Sequence, residues 1–158
     1  MNQKSFLART VAQVQCAFGA LNTLPLWPLQ TIARIAVGSV FYKAAILKIR
    51  SPEITLVLFR DEYQVPFLSY DVAAQLAIMA EMGGALLLLA GLFTRLATLP
   101  LFGTIAVIQI FVYPAAWVEH LTWSTGLLLI LMRGPGPLSL DYLFARFMRV
   151  QPAPMAQS

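Results

Sequence analysis

Apolar residues fill four long blocks of this chain, at residues 29–49, 71–95, 96–114 and 117–132, and polar residues gather mostly between them. A helix crosses the roughly 30 Å apolar core of a bilayer in about 20 residues, so each block reads as a spanning helix, the fourth a short one. The breaks are consistent with this. Ser51-Pro52-Glu53 offers a helix start, with proline at the first helical position and an acid in the first turn. The segment that follows, residues 52–60, is too short to span and reads as an interfacial helix closed by Arg60, Asp61, Glu62 and Pro66. Asp71 is placed to cap the second span, which ends in the Phe93-Thr94-Arg95 turn. Pro100 would fall in the first turn of the third span, where a missing N–H is tolerated. Arg133-Gly134-Pro135-Gly136-Pro137 stops the fourth. Beyond it, Leu140, Leu143, Phe144 and Phe147 share one helical side and Arg146 and Arg149 the other, the pattern of a second interfacial helix. The fold class expected is therefore all-α, a polytopic membrane four-helix bundle with short interfacial helices. Its parts are an N-terminal interfacial segment (1–28), a transmembrane domain (29–133), a C-terminal amphipathic helix (134–150) and an unstructured tail (151–158).

Composition supports the bilayer as solvent. Hydrophobic residues make up 59% of the chain and charged residues 11%, less than half the roughly 25% of a soluble domain. The net charge of +4 does not indicate nucleic acid, because the basic residues are scattered singly and no aromatic-interleaved basic stripe occurs. Four spans place both termini and the 93–97 turn on one side, together with Lys4, Arg9, Arg95, Arg133, Arg146 and Arg149, against Lys48, Arg50 and Arg60 on the other. The excess of basic residues predicts cytoplasmic termini. Residues 1–28 are not expected to be a signal peptide, since Gln13, Gln15 and Asn22 break the apolar run. One cysteine, Cys16, and one histidine, His120, leave no thiolate cluster, CxxC pair or His-rich metal site within the chain. No metal and no resident cofactor is expected.

Candidate chemistry sits where polarity intrudes on the spans. Glu81 lies near the middle of the second, where a charge costs about 2.5 kcal/mol or more unless paired or protonated. Gly83, Gly84 and Gly91 nearby, with Gly38 and Ala45 of the first span, read as packing positions that let helices approach closely. Arg34, Gly38, Phe41, Ala45 and Lys48 recur at spacings of three and four and share one face. Lys43 projects from the opposite face. Counted at 1.5 Å per residue from the outer boundary, Glu81, Lys43 and Arg34 lie at depths of roughly 15, 10 and 22 Å, within axial reach of one another. Arg34, with its bidentate fork, is the expected partner of Glu81, and Lys48 the expected headgroup anchor. A second cluster is expected near the outer leaflet, from Lys43, Gln75, Gln109, Trp117, Glu119 and His120.

The arrangement resembles the DoxX family. The residues that carry the likeness are Arg34-xxx-Gly38-xx-Phe41-xxx-Ala45-xx-Lys48, Glu81-xx-Gly84, Gly91-xx-Thr94-Arg95, His120, and the run Gly134-Pro135-Gly136-Pro137-Leu138-Ser139-Leu140-Asp141. Ala45 stands where the family more often has glycine. The resemblance spans about residues 30–142 and implies a four-helix bacterial inner-membrane protein. It further implies a place beside redox or stress-response proteins, among which are subunits of thiosulfate:quinone oxidoreductases; any redox centre would be borrowed from a partner, a symmetry mate or a diffusible quinone. Three classes stay open: a membrane subunit of an oxidoreductase with a quinone-accessible cavity, a non-catalytic anchor or assembly partner, and a small solute or proton transporter. The partners expected are the lipid bilayer and a soluble or membrane redox protein, with no nucleic acid; self-association is left open.

Overall fold

The computed structural model describes residues 11–16, 18–19 and 23–149, and among them every regular element is helical. Residues 11–16 and 18–19 are helical and exposed. Lys4, Arg9 and the expected tail at 151–158 lie outside the described residues.

Helix α1 (Trp27–Arg50) starts on Pro28 and stops where Pro52 removes the next N–H. Helix α2 (Pro52–Leu58) begins directly after it, but not through a Ser51 side-chain cap. Instead the Thr55 hydroxyl donates to the carbonyls of Lys48 and Ser51 at 3.1 and 3.0 Å, tying α2 back to the end of α1. A π turn (Phe59–Tyr63) closes it. Helix α3 (Tyr70–Ala90) takes Ser69 as its N-cap, so Asp71 falls inside the first turn rather than capping as expected. Its C-terminus winds up at Gly91, φ +73°, whose N–H donates to the Leu87 carbonyl at 2.9 Å while Leu92 N donates to the same oxygen at 3.0 Å.

Helix α4 (Thr94–Val107) starts two residues before the expected third span, and Pro100 therefore sits inside it rather than in its first turn. The early start is fixed by Asp141, 47 residues away: its carboxylate accepts from Phe93 N at 2.7 Å, Thr94 N at 3.0 Å and Thr94 Oγ1 at 2.8 Å. Three donors at an otherwise unsatisfied helix N-terminus are met by one side chain. A π turn (Ile108–Val112) and a 3₁₀ turn (Pro114–Ala116) lead into helix α5 (Trp117–Arg133), and Gly134, φ +82°, ends it. Helix α6 (Leu140–Arg149) leaves Leu143, Phe144 and Phe147 exposed.

Helices α1, α3, α4 and α5 close into a ring in which α1 packs on α3, α3 on α4, α4 on α5 and α5 on α1. Three segments, Tyr70–Ala90, Thr94–Val112 and Pro114–Arg133, are long and apolar enough to cross a membrane. Helix α1 is the longest of the ring and the most charged, carrying Arg34, Lys43, Lys48 and Arg50. The core between them is Val37 and Phe41 from α1, Ala85 and Leu88 from α3, Ala97, Leu101 and Ile105 from α4, and Leu127 and Ile130 from α5. Gly84 makes this closure possible, since a Cβ there would lie 2.7 Å from Leu101 Cγ. Gly38 faces Leu88 and Leu89 in the same way, and Ala45 is fully buried. Gly83 differs from its expected packing role: it is exposed, with open space around its Cα, because it points a hundred degrees away from Gly84 and out of the ring.

Candidate functional site

Above the core, towards the Tyr63–Tyr113 end of the ring, the helices part around a cavity of about 560 Å³. The walls are chiefly apolar, from Val40 and Ala44 of α1, Leu76 and Ala80 of α3, and Gly103 and Val107 of α4. Lys48, Tyr63, Glu81, Thr104, Tyr113, Glu119 and His120 bring polar groups to it.

Glu81 is held by Lys48. The ammonium donates to both carboxylate oxygens, at 2.9 and 2.8 Å, and the two side chains are 16% and 2% exposed. This corrects the expected Arg34–Glu81 pair and the reading of Lys48 as a headgroup anchor. The cause is the register of α1 against α3. Arg34 packs against Gly91, ten residues beyond Glu81 along α3 and thus about 15 Å from it. A depth count from one shared outer boundary misses this, because Lys48 near the end of α1 meets Glu81 while α3 runs on outward to Tyr70, so that α1 ends deeper. The shared face is as the spacing indicates: Arg34, Gly38, Phe41 and Ala45 are buried and Lys48 is the last member of the row.

Arg34 instead serves the opposite end of the ring. Its Nη2 donates to the Leu138 carbonyl, its charge lies within the field of Asp141, and its Nε and Nη1 are buried without a hydrogen-bond partner among the described residues. Beside it, Gln30 Nε2 donates to the carbonyls of Arg133 and Gly134 at 2.9 and 3.1 Å. The Gly134–Asp141 loop is thereby bound to α1 and, through Asp141, to α4. Sequence reasoning missed Gln30 and Asp141, although Asp141 belongs to the run that carried the family resemblance.

Of the expected outer cluster, the structure joins His120 and Gln109. His120 is 4% exposed, and its Nδ1 lies 2.6 Å from Gln109 Oε1, while Gln109 Nε2 donates to the Pro114 carbonyl at 2.9 Å. Its ring tilts against Trp123, whose indole meets Phe41 edge to face. Glu119 lines the cavity from an exposed position. Lys43, Gln75 and Trp117 do not join: all three are exposed, and none lines the cavity. For Lys43 the opposite-face argument accounts for this, because α1 turns its Arg34–Lys48 face inward.

Both π turns stand at this end. The first supplies Tyr63 and the second leads into Tyr113; their rings meet at 6.1 Å, and Tyr113 Oη donates to Glu62 Oε1 at 2.8 Å. Glu62 as acceptor holds the Tyr113 phenol well above its ordinary range, and burial raises that of Tyr63. Single-turn widenings of this kind recur at functional sites, since the extra residue re-aims neighbouring side chains. The periodic pattern carried no sign of them. A chemical signal did exist: Tyr63 and Tyr113 both follow an acidic or apolar run just before a proline-containing break.

A model of the DoxX family matches residues 29–114, more than half of the chain. The match takes in Lys48, Glu81 and Gln109 and ends before His120 and the Gly134–Asp141 loop. No curated protein and no solved structure matches.

Proposed function

Because the chain belongs to the DoxX family, we propose that it is a membrane subunit or accessory of a redox or stress-response complex, and that its cavity admits the headgroup of a quinone. One observation carries this reading: a 560 Å³ apolar chamber inside a membrane bundle has a buried lysine–carboxylate pair and a histidine on its walls. Small-molecule sites are built in this way, with apolar surface for affinity and a few convergent polar groups for orientation. The volume falls within the usual range for such sites, and the aliphatic walls suit a prenylated ring.

The residues fit the group. Lys48 would donate to one ring oxygen and His120 would face the other, and a bound quinone would supply two-electron, two-proton redox chemistry. Lys48, anchored by Glu81, presents a positive donor without a free charge in the bilayer. His120 can hold or pass a proton at an imidazole nitrogen. Leu88, Leu101, Leu127 and Ile130 are fully buried on the Gly91–Gly134 side of the cavity. That packed floor favours a blind pocket over a route through the bundle, and so a redox role over transport.

In the proposed topology, α1 and the three apolar segments cross a bacterial inner membrane with the termini in the cytoplasm. The Gly134–Asp141 loop then faces inward and the Tyr63–Tyr113 end outward, in keeping with the bias of the basic residues. Purification of the chain from native membranes in mild detergent, followed by lipid extraction and mass spectrometry, tests the reading. A quinone retained in near-stoichiometric amount supports it. A preparation that retains phospholipid and a soluble partner but no quinone would favour the anchor reading.

A further inference from the structure

The hydrogen bonds around His120 set which nitrogen carries its proton. The Pro114 carbonyl can only accept, so the Gln109 group facing it, at 2.9 Å, is the NH₂. Gln109 therefore turns its Oε1 to the imidazole, and that oxygen too can only accept. At 2.6 Å from it, Nδ1 must be the donor. A neutral imidazole has one donor and one acceptor, which leaves Nε2 as an acceptor. No described residue bonds Nε2, and the His120 side chain lines the cavity.

We propose that the cavity selects the reduced, hydroxyl-bearing form of its ligand: a phenolic or hydroquinone headgroup whose O–H donates to His120 Nε2, with Gln109 as the residue that positions the tautomer. A fully oxidised quinone has only acceptor oxygens and would place one against another acceptor at Nε2. Lys48 meets either form equally, because an ammonium donates to carbonyl and hydroxyl alike. Of the two groups that face the ring oxygens, His120 is the one that discriminates between the redox forms. The π turn at Ile108–Val112 matters here, since it contains Gln109 and carries the chain to the Pro114 carbonyl that orients the amide. This inference rests on the quinone-site reading above and specifies it.

The chain has a single histidine, so ¹⁵N-histidine labelling of the full-length protein in nanodiscs reports on this ring alone. The expected spectrum shows Nδ1 protonated and Nε2 bare. Addition of 2-decyl-1,4-hydroquinone under anaerobic reducing conditions should move the Nε2 resonance, and its affinity should exceed that of 2-decyl-1,4-benzoquinone by about tenfold or more, as expected when a site loses a buried hydrogen bond. The dimethyl ether of the hydroquinone should bind as weakly as the quinone. Gln109→Leu should scramble the tautomer and erase the preference. If all three probes bind equally and Nε2 does not move, or if Nε2 carries the proton in the free protein, the quinone site stands and the selectivity is refuted. If none of the three binds, the site reading itself fails and the selectivity with it.

Discussion

Among individual residues, Lys48 and Glu81 carry the greatest energetic consequence. A buried ion pair is a weak source of net stability, yet removing one member strands the other charge, at about 3–5 kcal/mol. Lys48→Met and Glu81→Gln should each lower thermal stability strongly, with the double substitution costing less than the sum. Arg34→Met combined with Glu81→Gln should be additive, because Arg34 is bound to Leu138 near Gly91 and shares no partner with Glu81. Non-additivity there would contradict the register of α1 on α3. At Gly91, both a positive φ and the crowding of Arg34 Nη1 and Ser139 Cβ, the latter at 2.7 Å from an added Cβ, forbid a side chain. Gly91→Ala should destabilise by roughly 2 kcal/mol or more. That Glu81 needs a partner was legible in the sequence, as was the face of α1 that supplies one. The choice of Lys48 over Arg34 was not, because a depth count fixes position along each helix but not the axial offset between two of them.

At the level of elements, the ends are set by distant residues more than by local signals. Asp141 reaches across from the start of α6 to hold the first turn of α4, so Asp141→Ala should cost about 1–2 kcal/mol and loosen α4 at its first turn. Hydrogen exchange at Phe93 and Thr94 would show this directly. The sequence placed that turn correctly but began the helix two residues late, since no local pattern announces a cap 47 residues away. The π turns were equally hidden, because hydrophobic periodicity averages over a single inserted residue. Their tyrosines give a pH signature. Tyr113 has its phenol pKa raised by the Glu62 carboxylate, so its contribution to stability is complete below the ordinary tyrosine pKa of about 10 and fades as pH rises towards the higher folded value. Ultraviolet titration should find a tyrosine ionising well above the others, and Glu62→Gln should bring it down; no change would disprove the bond.

For the molecule as a whole, the division between a packed half and an open half organises everything else. From Gly91 to about Glu81 the ring is closed by Leu88, Leu101, Leu127 and Ile130; beyond Glu81 it parts around the chamber. The three segments long and apolar enough to cross a membrane, and their order, were readable from hydropathy alone, because the bilayer imposes length and apolarity on any helix that crosses it. The chamber was not readable. It arises from small or bent positions on separate elements, Ala44, Ala77, Ala80, Pro100 and Gly103, which become neighbours only when the ring closes. His120 and Gln109, expected in one cluster, are bonded to each other, while Lys43 and Gln75, grouped with them by depth, are exposed.

That the chamber is a quinone-headgroup site is tested most directly by photolabelling the protein in native-like bilayers with an azidoquinone and mapping the adducts by peptide mass spectrometry. Adducts are expected on cavity residues such as Leu76, Ala80, Val107 and His120, suppressed by excess unlabelled hydroquinone. Adducts spread over outward-facing positions such as Leu47, Met79 and Leu128, and insensitive to competitor, would contradict it.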